Sequence, residues 1–255
     1  MELLKAIKKT IDYAKGFGCP INEKQIYQRL ISKKVYKLEE IKKGLKSFKI
    51  DDNKNKWLEG KERKVENLSE LMKKKFKDVL FLGISGSVAT EYPKENDDID
   101  IMLIIKKNKL WLTRFKLRWF IFVNKIPHRK YGKGENKDEF CFNLWLDEAN
   151  LKLPKNKQNL KNAIDLILLK PIINRQKTYE KFILANDWVK KYLATGYLNR
   201  LSNCQIIKLS DKTKKERDSY LDQLINKLFF WPQYWYMRRR ITNEKVNYYH
   251  AFFHK

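Results

Sequence analysis

The sequence predicts an α+β fold: a small mixed sheet set between an N-terminal unit of three helices and a hairpin, and a helical C-terminal third. Three observations predict it. Apolar residues recur at helical spacing through residues 2–46. Apolar runs of strand length, Val79–Ile84 and Asp98–Ile105, bracket a helical start, and Glu139–Leu146 offers a third strand. After Asp147 no strong strand pattern remains, and the periodicity is helical.

Leu3, Leu4, Ile7, Ile11 and Ala14 mark a first helix. Asn22 stands as a cap before a second, Glu23–Ile31, and a third fits Lys37–Lys46 with Leu38, Ile41 and Leu45 on one face. Phe48–Ile50, a turn-like Asp51–Asn55 and Lys56-Trp57-Leu58 read as a short hairpin. Three helices and a hairpin resemble a winged helix-turn-helix. Its candidate recognition residues, Lys37, Lys42, Lys43 and Lys46, include no arginine. A charged helix follows at Lys61–Phe76, and an aromatic-rich helix, Leu110–Phe122, joins the second and third strands. Amphipathic helices are expected at Asn159–Leu169, Thr178–Leu193 and Ser219–Arg240. The implied units are residues 1–62, 63–153 and 154–255.

With 43% hydrophobic residues the chain can build a packed core. It has no apolar run of about 18 residues, so no membrane span is expected, and its start lacks the apolar stretch of a signal peptide. Cys19, Cys141 and Cys204 are odd in number and widely spaced, which excludes a disulfide framework and predicts a cytoplasmic chain. The net charge of +26 points to a polyanionic partner, RNA or DNA, or to lysine used as the default surface residue.

The chemistry concentrates in residues 81–105. Gly86-Ser87 falls where a strand gives way to a helix: glycine lets a phosphate approach the backbone, and helix-terminal N–H groups and the Ser87 hydroxyl can hold it. Asp98 and Asp100 then enter an apolar strand, and residues two apart on a strand face the same side. Two carboxylates held together call for a divalent cation, and magnesium takes carboxylate, triphosphate and water oxygens. A lone Gly-Ser is usually a turn, and a lone Asp-x-Asp a solvated edge. Their succession is far more specific.

Gly86-Ser87, Asp98 and Asp100 match the signature of the DNA-polymerase-beta-like nucleotidyltransferase superfamily, and the chain resembles an uncharacterised prokaryotic group within it. Lys109–Arg114, Phe140–Asp147 and the C-terminal Arg239–Val246 and His250–His254 carry that wider likeness. The resemblance implies a small mixed sheet flanked by helices, two magnesium ions, a nucleoside triphosphate such as ATP, and transfer of a nucleoside monophosphate to a hydroxyl. It also implies a third carboxylate on a later strand. Asn143 stands at that position, and an amide cannot act as a base. Asp147, on the same face of a regular strand, is the alternative, whereas Asp138 and Glu139 lie near the strand's start.

Asn143 is expected nearer the two aspartates, with Asp147 capping the following segment or meeting a lysine. Thr113 and Arg114 can reach the triphosphate from the following helix, or can belong to a structural face. Lys170, Lys190 and Lys191 read as solvated cations. Trp231, Trp235 and Tyr236 beside Arg238–Arg240 resemble aromatic-plus-basic RNA platforms, although apolar packing is the preferred reading. The expectation is a magnesium-dependent nucleotidyltransferase with RNA slightly favoured as acceptor over a protein or a small molecule. Its rival is a degenerate nucleotide sensor that binds DNA through the winged helix.

Overall fold

The computed structural model describes residues 1–50, 55–129, 136–205, 220–239 and 245–252. Helices α1 (Glu2–Gly16), α2 (Glu23–Arg29) and α3 (Leu38–Leu45) fall where the apolar spacing places them. Asn22 caps α2, its side chain accepting from Gln25 N at 2.9 Å. Ile7, Ile11, Ile26, Leu30, Ile41 and Leu45 pack into a small core of their own.

No strand forms at residues 48–50 or 56–58, so the expected hairpin is corrected; Asp51–Lys54 of its turn lie outside the described residues. The reason is local. Asn55 Oδ1 accepts from Trp57 N at 2.9 Å, an Asx turn that swings the chain into α4 (Leu58–Lys75), three residues earlier than its charge pattern suggests.

Six strands form one mixed sheet: β1 (Val79–Ile84), β2 (Ile99–Ile105), β3 (Phe140–Asp147), β4 (Lys170–Asn174), β5 (Lys245–Val246) and β6 (His250–Phe252). They lie in the order β4-β1-β2-β3-β6-β5. β1 is antiparallel to both β2 and β4. β2 and β3 are parallel, which requires a crossover, and a helix between them, α6 (Leu110–Val123), is part of it. Covered on both faces, β1 and β2 are nearly continuous apolar runs.

The C-terminal third is not purely helical, contrary to expectation. β4 closes one edge of the sheet, and β6 with β5 extends the other. These strands are short, and Pro171 in β4 argues against a strand until its edge position is known. Helices α7 (Leu160–Leu168), α8 (Thr178–Ala185), α9 (Ala194–Gln205) and α10 (Tyr220–Arg238) accompany them. The main core joins these helices to the sheet through Phe81, Leu103, Trp111, Leu166, Phe182 and Phe230. The N-terminal unit docks on it where α2 meets α9: a Cβ at Gly196 would lie 1.8 Å from Gln28 O, so only glycine permits this approach. Among the described residues, no helix is long and apolar enough to cross a membrane.

Candidate active site

β1 ends at Ile84, and Gly86–Ala89 form a single helical turn, α5. Gly86 has φ +65°, in the left-handed region that favours glycine. A Cβ there would stand 2.1 Å from Asp100 Oδ2. Glycine at 86 therefore lets a carboxylate, and not only a phosphate, lie against the backbone. Ser85 N donates to Asp100 O at 2.9 Å, which ties this turn to β2. Ser87 is half-buried, and its carbonyl accepts from the Thr90 hydroxyl at 2.8 Å.

Asp98 immediately precedes β2, and Asp100 is its second residue. Asp98 is buried, with Arg129 Nη1 3.1 Å from its carboxylate. Asp100 Oδ1 accepts from Asn143 Nδ2 at 2.9 Å. Cys141 pairs with Asp100 across β2 and β3, and ligand atoms of Asp98, Asp100 and Cys141 all lie within 4.8 Å of one another. Burial, followed by the charges of Asp100 and Asp98, pushes the Cys141 thiol far above its ordinary pKa. Burial opposes the charge on Arg129, but Cys141 and Asp98 outweigh it and raise its pKa.

Asn143 and Asp147 are separated by an irregularity. Ile101 pairs with Phe142 and Met102 with Leu144, so Asn143 is an extra residue bulging from β3. The regular alternation expected through Cys141, Asn143, Trp145 and Asp147 breaks there. Asp147 lies opposite Ile105, roughly 16 Å along β2 from Asp100. Its carboxylate accepts from Asn108 N and Ala149 N, both at 2.9 Å. Asp147 thus caps the segment after β3, and its candidacy as a catalytic residue is corrected. Asp138 is also engaged elsewhere, by Lys61 and Lys64.

Thr113 and Arg114 do not meet the Gly86-Ser87 turn. Both are buried on α6, where Arg114 Nη1 donates to Gln233 of α10 and its guanidinium lies over the rings of Trp111 and Trp145. Burial, then the charge of Arg118, lowers the Arg114 pKa to about 9. An aromatic-rich helix does not reveal which face points inward, and the face carrying Thr113 and Arg114 is taken by core packing. Lys170 is not simply solvated either: it bridges Glu62 and Glu91 at 3.1 and 3.2 Å.

Other residues emerge only from the structure. Arg129 stands in no motif. Lys61, one lysine among many in the sequence, is 2% exposed and donates to Asp97 O at 2.6 Å and to Asp138 Oδ1 at 2.9 Å. It anchors the loop that delivers Asp98. Gln25 of α2 reaches Thr90 O at 2.7 Å, so the N-terminal unit braces the same loop.

The donor set suits one hard divalent cation: two carboxylates side by side, with the amide oxygen of Asn143 adjacent if that group turns. No third carboxylate joins them among the described residues, so a second ion lacks a carboxylate of its own. Searches of protein-family models, curated proteins and solved structures each find no match to this chain.

Proposed function

We propose that this chain is a magnesium-dependent nucleotidyltransferase that moves a nucleoside monophosphate from a triphosphate to a hydroxyl acceptor. The observation that carries the reading is the packing of Asp100 against Gly86, with Asp98 beside it: a carboxylate pair lies directly against a glycine turn where a strand gives way to a helix. Asp98 and Asp100 hold the cation, and Gly86 and Ser87 hold the triphosphate. The bound cation supplies charge neutralisation at the reacting phosphate and the leaving pyrophosphate. Arg129, already paired with Asp98, adds a fixed positive charge within reach of the phosphates. Asn143 orients Asp100 and takes no proton. The charge of +26 favours RNA as the acceptor.

A second reading, a nucleotide sensor descended from a transferase, is favoured by one observation: the positions facing Asp100 from β3 carry an amide and a thiol in place of a carboxylate. Calorimetric titration of ATP with and without magnesium, followed by label transfer from each triphosphate to cellular RNA, tests both readings. Metal-dependent binding lost in Asp98→Asn together with label transfer supports the transferase. Binding without transfer supports the sensor, and metal-independent binding untouched by Asp98→Asn removes the site.

A further inference from the structure

Helix α2 buries two polar side chains, Gln25 at 2% exposure and Arg29 at 4%, one helical turn apart on the same face. Arg29 Nη2 donates to Gln25 Oε1 at 3.3 Å. A guanidinium offers only donors, so the atom it meets is the amide oxygen, and the amide N–H groups of Gln25 are left for other partners. Gln25 Nε2 donates to Thr90 O at 2.7 Å and lies 3.4 Å from Glu91 Oε2. Buried polar groups destabilise a fold unless they are paired, and the partners here belong to the turn that follows Gly86-Ser87.

Glu91 is where that turn is made. Its φ of +67° lies in the left-handed region, a conformation unfavourable to a residue with a Cβ and kept only where neighbours hold it. The chain reverses there, and Tyr92 N returns to Ser87 O at 3.3 Å, beside the Thr90 hydroxyl at 2.8 Å. Gln25 holds Glu91 from α2. Lys170 holds it from β4: it pairs with Ile84 at the end of β1, and its Nζ lies 3.2 Å from the Glu91 carboxylate. Glu62 of α4 fixes Lys170 in turn, at 3.1 Å.

We infer that Glu91 is a positioning residue for the triphosphate, through which the N-terminal unit, α4 and β4 fix the Ser87 turn. The inference rests on the reading of Gly86-Ser87 as the triphosphate hold, and it gives the N-terminal unit a task in that same site. The loop from Glu91 to Asp98 has an anchor at each end. Lys61 fixes the Asp97 end, next to the paired carboxylates, and the Gln25 and Lys170 contacts fix the Glu91 end, next to the phosphate-holding turn. Loosening the Glu91 end therefore separates triphosphate affinity from metal affinity. Partly exposed ion pairs contribute little to stability, and the Lys170 and Glu91 side chains are 26% and 32% exposed. The link acts on the placement of the turn more than on folding.

Three variants of the full chain test it. Glu91→Gly removes every contact of the side chain yet accepts the positive φ, so the fold survives and only the hold is lost. Glu91→Gln keeps the shape and can still accept from Lys170. Gln25→Met removes the hold from the α2 side at similar volume. ATP is titrated calorimetrically at saturating magnesium, magnesium alone is titrated separately, and hydrogen exchange is followed over peptides covering residues 86–92. In Glu91→Gly and Gln25→Met the expected result is about tenfold weaker ATP binding, with unchanged magnesium affinity and faster exchange in the turn. Glu91→Gln should recover most of the ATP affinity, and the Glu91→Gly, Gln25→Met double variant should lose little more than either single one. Wild-type ATP affinity in Glu91→Gly overturns the inference and leaves the proposed transferase standing. An equal loss of ATP and magnesium affinity also overturns it, since the whole site has then been disturbed. A wild-type chain that binds no magnesium-ATP removes the proposed function itself, and this inference with it.

Discussion

The Asp100 carboxylate occupies the space that a side chain on residue 86 would need, with Oδ2 2.1 Å from where a Cβ on Gly86 would stand. Gly86→Ala therefore forces Asp100 away from its place and puts a side chain on a backbone with φ +65°. A loss of about 2 kcal/mol or more in urea unfolding is expected, with metal-dependent triphosphate affinity at least about tenfold weaker. In a double-mutant cycle with Asp100→Ala the stability loss should shrink, because the obstructing carboxylate is gone. Additive losses would mean that strain at residue 86, not contact with Asp100, accounts for the effect.

Lys61 secures the loop ahead of Asp98 from inside the protein. Lys61→Met keeps the volume but leaves the Asp97 carbonyl unanswered and Asp138 with Lys64 alone. About 3 kcal/mol of stability should be lost, together with magnesium affinity, because Asp98 then loses its fixed approach. Thermal unfolding and calorimetry at a temperature where the variant is folded separate the two effects. Unchanged metal affinity would confine Lys61 to a structural role.

Asp147 makes stability depend on pH. Burial raises its pKa to about 6, against hydrogen bonds from Ala149 and Asn108 that favour the charged form. The folded value lies above the unfolded one of about 3.9, so the protonated acid is the form that folding favours. Its stabilisation is complete below the unfolded value and is lost as pH rises through about 6. Relative to Asp147→Asn, which does not titrate, the wild type should lose up to about 3 kcal/mol between pH 4 and pH 7. Urea midpoints at several pH values measure it. A flat difference would show that the two backbone N–H groups outweigh burial.

Asn143→Asp places a third carboxylate beside Asp100, replacing a 2.9 Å hydrogen bond with repulsion. Without metal the variant should be less stable than the wild type by about 1–2 kcal/mol, and magnesium should restore more stability to it than to the wild type. Transferase activity should rise, or appear, because a base and a second carboxylate ligand are now present. Melting curves across a magnesium series and label transfer provide the readouts. A variant whose stability ignores magnesium would argue against a metal between these strands.

Much of the site was legible because it is local. Apolar runs on either side of Gly86-Ser87 marked two strands, and the two-residue repeat placed Asp98 and Asp100 on one side. Asn143 was legible as the nearer partner, but its reason was not: the bulge opposite Ile101 and Met102 arises from pairing between strands distant in the chain. Arg129 and Lys61 left no signal, since a cation on a charged helix or in a loop looks solvated until its partners are in place. Cys141 was legible as one of three widely spaced cysteines and, by strand alternation, as lying on the face of Asn143.

By itself the sequence determined the elements whose apolar periodicity is written in consecutive residues: α1 to α3, β1, β2, and the pair of aspartates entering β2. Backbone geometry sets these periods, so they need no distant partner. Tertiary structure alone decided that β4 and β6 complete the sheet and that α6 turns Thr113 and Arg114 inward. It also decided which face of α10 is buried, through Asn226, Phe230 and Met237. Each outcome depends on which surfaces meet, and burial and strand pairing are settled between residues far apart in the sequence.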